Sequence, residues 1–282
     1  MVVAGLIAFR EGLEASLIIG IVFGYLKKTG QSGHYRYAWV GVLAAMAASF
    51  ALAIGIQMIG AELEGQAEQI FEGVTMFLAV SVLTWMIFWM CYQSRTLKPA
   101  LERDLQHGIN SGDSRKLIAV TFLAVFREGV ETALFLSAAA FAVNRIDTLL
   151  GSLVGLGIAA LIGYLIYTST IRLNLKVFFK VTSLLLLLFA AGLLAHGIHE
   201  FQEAGLLFTL AENVWNTNGL IDENSTLGEL LKAVLGYNGN PSLLEVIGYW
   251  GYWALVLFCI PWLVDRRVAR TRPTPETADV AG

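Results

Sequence analysis

The chain contains the stretch FREGLE at residues 9–14 and repeats it, almost unchanged, as FREGVE at residues 126–131. Both copies of this REGxE motif lie inside otherwise apolar segments. A charge at the centre of a membrane helix costs roughly 2.5 to 3.5 kcal/mol to insert, so six such residues would oppose insertion by about 15 to 21 kcal/mol if their costs add. Charges this unfavourable for insertion indicate that the motifs serve a function.

The composition is that of a protein embedded in a lipid bilayer. Of the 282 residues, 56% are hydrophobic and 15% are charged, and the mean hydropathy is +0.65. Apolar runs of about twenty residues predict seven transmembrane helices. Their ranges are 2–26, 38–60, 70–92, 117–143, 149–170, 177–198 and 246–264. Because lipid-facing backbone must satisfy its own hydrogen bonds, we predict an all-α integral membrane protein.

The distribution of lysine and arginine predicts the orientation, because short cytoplasmic loops are enriched in these residues. With seven spans, one set of loops together with the C-terminal end holds fifteen of the nineteen basic residues. The opposite side holds only Arg145 and Lys232. We therefore predict an outer N-terminus and an inner C-terminus, with residues 265–282 as a disordered cytoplasmic tail.

The positions of the two motifs predict an inverted repeat. The motifs lie in spans one and four, so they run through the bilayer in opposite directions, as in many secondary transporters. We predict repeat halves at about 1–92 and 117–198, an outer loop at about 199–245 and a seventh span at about 246–264, all within one membrane domain, 1–264. Each motif begins about ten residues into its span, and a rise of 1.5 Å per residue places both near mid-bilayer.

The spacing of the charges predicts a shared helical face, because residues three and four positions apart are neighbours on a helix. The acidic residues on these two faces are Glu11, Glu14, Glu128 and Glu131. Their charge partners are Arg10 and Arg127. If all six residues ionise, the net charge of about −2 favours a cation. Carboxylate oxygens are hard ligands, whereas softer metal ions favour thiolates.

Acidic and imidazole side chains gather on the predicted outer side, where an external cation would enter. Glu64, Glu68 and Glu72 recur at four-residue helical spacing before and within span three. After span six comes a stripe with spacing i, i+3, i+4 and i+7, namely His196, His199, Glu200 and Glu203. We interpret both groups as candidate outer metal-capture residues.

Aromatic residues lie toward the ends of the predicted spans. They are Trp85, Trp89, Tyr249, Trp250, Tyr252 and Trp253. Tryptophan and tyrosine are enriched at membrane–water interfaces, so we interpret these residues as interfacial anchors without a stacking role.

The doubled REGxE motif, the seven spans and the acidic exterior resemble the oxidase-dependent iron permeases, the Ftr family, and in particular its bacterial EfeU branch. The resemblance continues through residues 83–90, 171–175 and 190–193 and covers most of residues 1–264. It implies a transporter, not an enzyme, which imports iron across the cytoplasmic (inner) membrane through the glutamates of both motifs. It also implies a separate iron-oxidising or iron-binding partner, periplasmic in bacteria.

Iron is thus the expected substrate of a multi-pass protein that holds no permanently bound cofactor and has no nucleic-acid partner. The oxidation state in transit, the energy source and the oligomeric state are left open. One alternative is a permease for another divalent metal such as lead or manganese, because oxygen ligands discriminate poorly between such ions. A second is a membrane metalloenzyme centred on the stripe from His196 to Glu203, and a third is a non-transporting anchor for an oxidase complex.

Overall fold

The computed structural model describes residues 1–93, 103, 105–106, 114–142, 145–168, 175–209, 211, 213–219, 221–222 and 225–259. Within these ranges all regular structure is helical. The α-helices are α1 (Val2–Lys28), α2 (Tyr35–Glu62), α3 (Gln66–Gln93), α4 (Ser114–Ala142), α5 (Arg145–Thr168), α6 (Leu175–Glu203), α7 (Thr226–Leu235) and α8 (Leu243–Ala254). A π-helical turn, Leu255–Cys259, follows α8. The predicted tail 265–282, the end of the seventh span and the predicted similarity at 171–174 lie outside the described residues.

Helices α1 to α6 are 24 to 29 residues long. At 1.5 Å per residue, each is longer than the roughly 30 Å hydrocarbon layer of a bilayer. Four of the described helices, α2, α3, α5 and α6, are also apolar enough along their length to cross a membrane. Helices α1 and α4 are equally long, but each contains the three charges of a motif. The chain is therefore a helical, multi-pass membrane protein.

The long helices pack in three pairs. Helix α1 lies along α5, α2 along α4 and α3 along α6, and α1 also contacts α4. Exchanging α1, α2 and α3 for α4, α5 and α6 leaves this set of contacts unchanged. The pairing brings the two motif-bearing helices together, while α2 and α5 present many exposed apolar side chains outward.

Helices α1 and α5 touch backbone to backbone along a strip of small residues. A Cβ atom added to Gly155 would collide with the backbone of Gly5. A Cβ atom on Gly12, inside the first motif, would lie 2.9 Å from the Cβ atom of Ala159. Small residues at such positions let membrane helices approach closely. The first motif is thus held tightly against α5.

The predicted outer loop 199–245 contains regular structure and folds back onto the bundle. Helix α7 begins after Ser225, whose hydroxyl accepts a hydrogen bond of 3.0 Å from the backbone N–H of Gly228. It ends at Gly236, which has a positive φ of 68°. A Cβ atom on Gly192 of α6 would collide with Gly236. The end of α7 therefore packs against the body of α6 rather than extending away from it.

Candidate functional site

The first motif forms a buried charged face on α1. Arg10 and Glu11 are completely buried, and the side chain of Glu14 is 13% exposed. Arg10 Nε lies 3.3 Å from Glu14 Oε1, and Arg10 Nη1 lies 3.6 Å from Glu11 Oε1. The shared face predicted from the spacing is present, and the arginine pairs with both glutamates of its own helix.

The second motif repeats this pairing on α4 but is less enclosed. Arg127 Nε donates a hydrogen bond of 3.0 Å to Glu131 Oε1 and lies 4.0 Å from Glu128 Oε1. The two glutamates are buried, whereas the side chain of Arg127 is 41% exposed. The guanidinium carbon of Arg127 lies 4.4 Å from the centroid of the Trp89 ring. Trp89 was predicted to have no stacking role, and that prediction is wrong, because α3 runs close to α4 and brings this ring onto Arg127.

Carboxylates from both motifs converge between α1 and α4. One oxygen each from Glu11, Glu128 and Glu131 lies within 4.8 Å of the other two. Oxygens on opposite sides of a divalent transition-metal ion, each bonded at 2.0–2.2 Å, are about 4.2 Å apart. Small side-chain rotations would therefore let this group, which we call the carboxylate triad, bind one metal ion. In the described part of the chain no other set of three such side chains converges in this way.

Burial makes the triad unfavourable without a compensating positive charge. Both oxygens of Glu11 and one oxygen each of Glu128 and Glu131 are buried and accept no hydrogen bond from the described residues. A buried carboxylate in that condition is strongly destabilising unless it is neutralised. The triad and Glu14 together carry four acidic groups against the two motif arginines, which leaves about two negative charges if all six ionise.

The predicted stripe on α6 is also present, and each histidine lies beside the glutamate four residues later. The helix continues to Glu203, beyond the predicted end at residue 198, so the stripe lies inside α6. His196 Nε2 lies 3.6 Å from Glu200 Oε1, and His199 Nε2 lies 3.2 Å from Glu203 Oε1. The shorter pair, His199 with Glu203, has the i,i+4 spacing of side-chain pairs that stabilise helices and lies in the last turns of α6.

The predicted helical row of Glu64, Glu68 and Glu72 is interrupted. Glu68 and Glu72 lie on α3, but this helix begins at Gln66, and Glu64 precedes it in an exposed turn. The reason is Gly65, whose φ of 60° is a left-handed conformation that breaks the helical path. Glu72 lies near Glu200, and their charges repel each other. The two acidic groups thus meet at the same end of the α3–α6 pair, with Glu64 outside the row.

Comparison with known proteins identifies the family of the chain. The model of the iron permease FTR1 family matches residues 1–269. The chain belongs to this family. It is 39% identical over 265 residues to the ferrous iron permease EfeU of Shigella sonnei (strain Ss046), an alignment that covers 93% of this chain and 96% of the relative. It is 38% identical over 265 residues to the ferrous iron permease EfeU of Yersinia pestis, covering 93% of this chain and 94% of the relative. No solved structure matches the chain.

Membership of the FTR1 family confirms the resemblance seen in the sequence. The family and these relatives are permeases, so the chain is a transporter rather than an enzyme. The metalloenzyme alternative is therefore wrong.

The structure of this FTR1-family chain also contains a buried acid that the sequence did not single out. Glu245 lies at the start of α8. The backbone N–H of Ser242 donates a hydrogen bond of 3.2 Å to Glu245 Oε1, and Ser242 Oγ accepts one of 3.3 Å from the backbone N–H of Glu245. Asn238 Nδ2 donates a 2.7 Å hydrogen bond to Glu245 Oε2, and His199 Nδ1 lies 3.1 Å from its Oε1. The capping pattern of Ser and Glu three residues apart was readable in the sequence, whereas the contact with His199 was not. Glu245 therefore connects the segment that follows α6 to His199 on α6.

Replacing Glu245 with alanine is expected to lower the free energy of unfolding by about 3 kcal/mol, because the buried N–H of Ser242 and the partly buried side chains of Asn238 and His199 lose their shared partner. The measurement is denaturant unfolding of the purified protein in detergent. Glu62→Ala is the control, since Glu62 is exposed at the end of α2 and its loss should change the free energy by less than about 0.5 kcal/mol. Equal stability of the two variants would contradict the proposed role of Glu245.

Proposed function

We propose that this chain imports Fe(II) across the cytoplasmic membrane and that the carboxylate triad of Glu11, Glu128 and Glu131 binds the ion in transit. The observation that carries the proposal is the convergence of three buried carboxylates from the two motifs. Oxygen ligands accept Fe(II), and the six motif residues, which carry about two excess negative charges if all of them ionise, become neutral as a set when a divalent cation binds. The names of the ferrous iron permeases at 38–39% identity support the choice of ion.

Within this proposal the remaining motif residues control charge. Glu14 is paired with Arg10 and lies near enough to Glu128 for their charges to interact, so it supports the triad from one side. Arg10 and Arg127 orient the glutamates and offset part of their charge. Without the arginines, four acidic groups would repel one another strongly in a medium of low dielectric constant.

The proposed topology has seven spans, an outer N-terminus and an inner C-terminus. Helices α1 to α3 and α4 to α6 form the two inverted halves, and α8 begins the seventh span. The pairing of α1 with α5, α2 with α4 and α3 with α6 supports this, because a two-fold axis in the membrane plane would generate the same set of pairs. Rocking of one half against the other would expose the triad first outward and then inward.

Outer residues collect the ion before it reaches the triad. We assign this role to the acidic and imidazole groups at the shared end of α3 and α6, namely Glu64, Glu68, Glu72, His196, His199, Glu200 and Glu203. The closeness of Glu72 to Glu200 supports a joint electrostatic attraction for cations. We assign delivery of Fe(II) to a separate iron-binding partner outside the membrane, because an iron-oxidising partner would deliver Fe(III) instead.

Reconstitution tests the function. Purified protein in liposomes is expected to accumulate radioactive Fe(II), with uptake insensitive to a tenfold excess of manganese, zinc or lead. Protein-free liposomes are the control for leakage. Strong competition by lead or manganese would make that ion the substrate, since an all-oxygen triad accepts several divalent ions. No uptake of any metal, alone or with the oxidising partner, would instead favour the anchor alternative.

A further inference from the structure

The two motif arginines occupy different surroundings although their motifs are nearly identical. Arg10 is completely buried against its glutamates, whereas the side chain of Arg127 is 41% exposed. Arg127 contacts two of the three triad carboxylates, at 3.0 Å from Glu131 and 4.0 Å from Glu128. A guanidinium group this close is the nearest competitor of a transported cation for these oxygens.

Trp89 of α3 limits where that guanidinium group can go. Arg127 uses its Nε edge to hydrogen-bond Glu131, while Trp89 lies 4.4 Å from its guanidinium carbon. Among aromatic side chains, tryptophan attracts a cation on its face most strongly. The arginine is therefore fixed by a carboxylate on one side and an indole ring on another, at the more open edge of the triad.

We propose that Trp89 is a positioning residue for metal binding. It holds Arg127 at the edge of the triad, so that the guanidinium group stabilises Glu131 without taking the place of the metal ion. Without the indole ring, the guanidinium group is free to move between Glu128 and Glu131 and to compete with the metal. The proposal rests on the proposed function in that it takes the triad to be the metal site.

The chain provides a matched control for this role. Trp85 lies one helical turn before Trp89 on the same helix, and its side chain is 70% exposed. Replacing Trp85 removes an equally large tryptophan from α3 without touching Arg127. Any loss of Fe(II) affinity that both variants share reflects the removal of an aromatic ring from the surface of α3. Only the difference in affinity between the two variants measures the effect of Trp89 on the second motif.

The test is equilibrium binding of radioactive Fe(II) to the purified full-length protein in detergent, after gel filtration to select folded material. Trp89→Leu is expected to raise the Kd by about fivefold to thirtyfold. This range corresponds to the loss of a cation–π contact whose strength lies between that of a partly exposed contact and that of a desolvated one. Trp89→Phe should raise it less, and Trp85→Leu should leave it within twofold of wild type. A purely structural role would lower the amount of binding-competent protein while leaving its Kd unchanged.

A double-variant comparison shows whether Trp89 acts through Arg127. In an Arg127→Gln background, adding Trp89→Leu is expected to change the Kd by less than about twofold. The proposal is overturned if Trp89→Leu matches Trp85→Leu, or if its full effect persists without Arg127. Uptake by liposomes containing the wild-type protein is measured in parallel. Absent uptake with the predicted Kd pattern would refute the proposed transport function while leaving the role of Trp89 intact.

Discussion

Replacing Glu131 or Glu11 with glutamine is expected to lower iron uptake by about a hundredfold or more. Each change removes one charged oxygen ligand from the carboxylate triad, and loss of even an indirect partner of a metal ligand typically costs tenfold to a hundredfold in affinity or activity. Glutamine has nearly the same shape as glutamate, so packing against the neighbouring helices is preserved. The expected loss therefore comes from charge and ligand chemistry.

The measurement is uptake of radioactive iron by cells that lack other iron importers, with each variant compared at equal amounts in the membrane. Glu62→Gln is the matched control, because it changes an exposed acid at the end of α2 that belongs to neither motif. Its uptake should equal that of the wild type. If Glu11→Gln and Glu131→Gln transport iron as well as this control does, the motif charges serve helix assembly alone.

Replacing Gly155 with leucine is expected to prevent stable folding. A side chain at this position would collide with the backbone of Gly5, and backbone atoms cannot move aside as a flexible side chain can. Overpacking of this kind costs about 3 kcal/mol or more, a large part of the 5–15 kcal/mol that stabilises a typical protein. Since α1 carries the first motif, its separation from α5 would also misplace Glu11.

Gly157, two residues further along α5, is the matched control for Gly155. A Cβ atom there meets nothing within 4 Å, and the residue is exposed. Gly157→Leu should therefore reach wild-type amounts in the membrane and elute as a single species in gel filtration. Gly155→Leu should be degraded or aggregate. Equal recovery of the two variants would mean that α1 and α5 do not pack as closely as the structure indicates.

Much of the site could be predicted because its signal is local. The two motifs repeat five of six residues, and four-residue spacing places Arg10 and Glu14 on one helical face whatever the rest of the fold does. Apolar runs likewise predicted the long helices, although α6 extends beyond its apolar run to Glu203, through the polar residues of the stripe. Local spacing alone could not show that Glu14 lies outside the carboxylate triad, because that depends on how α1 packs against α4.

The features that sequence reasoning missed depend on contacts between distant segments. Trp89 meets Arg127 only because α3 runs beside α4, and a tryptophan near a span end is usually an interfacial anchor. Glu245 meets His199 only because the segment after α6 folds back. Glu64 lies outside the predicted helical row because Gly65 has a left-handed conformation. The spacing of the glutamates in the sequence does not indicate that conformation. Each case required the path of the backbone in space.

The most direct test of the triad is anomalous diffraction at the iron absorption edge, from crystals of the protein soaked in Fe(II) without oxygen. The account predicts an anomalous peak between α1 and α4, at bonding distance from the carboxylates of Glu11, Glu128 and Glu131. Iron bound only elsewhere, for example at His199 and Glu245, with no peak at the triad, would contradict the claim that the paired motifs bind the transported ion.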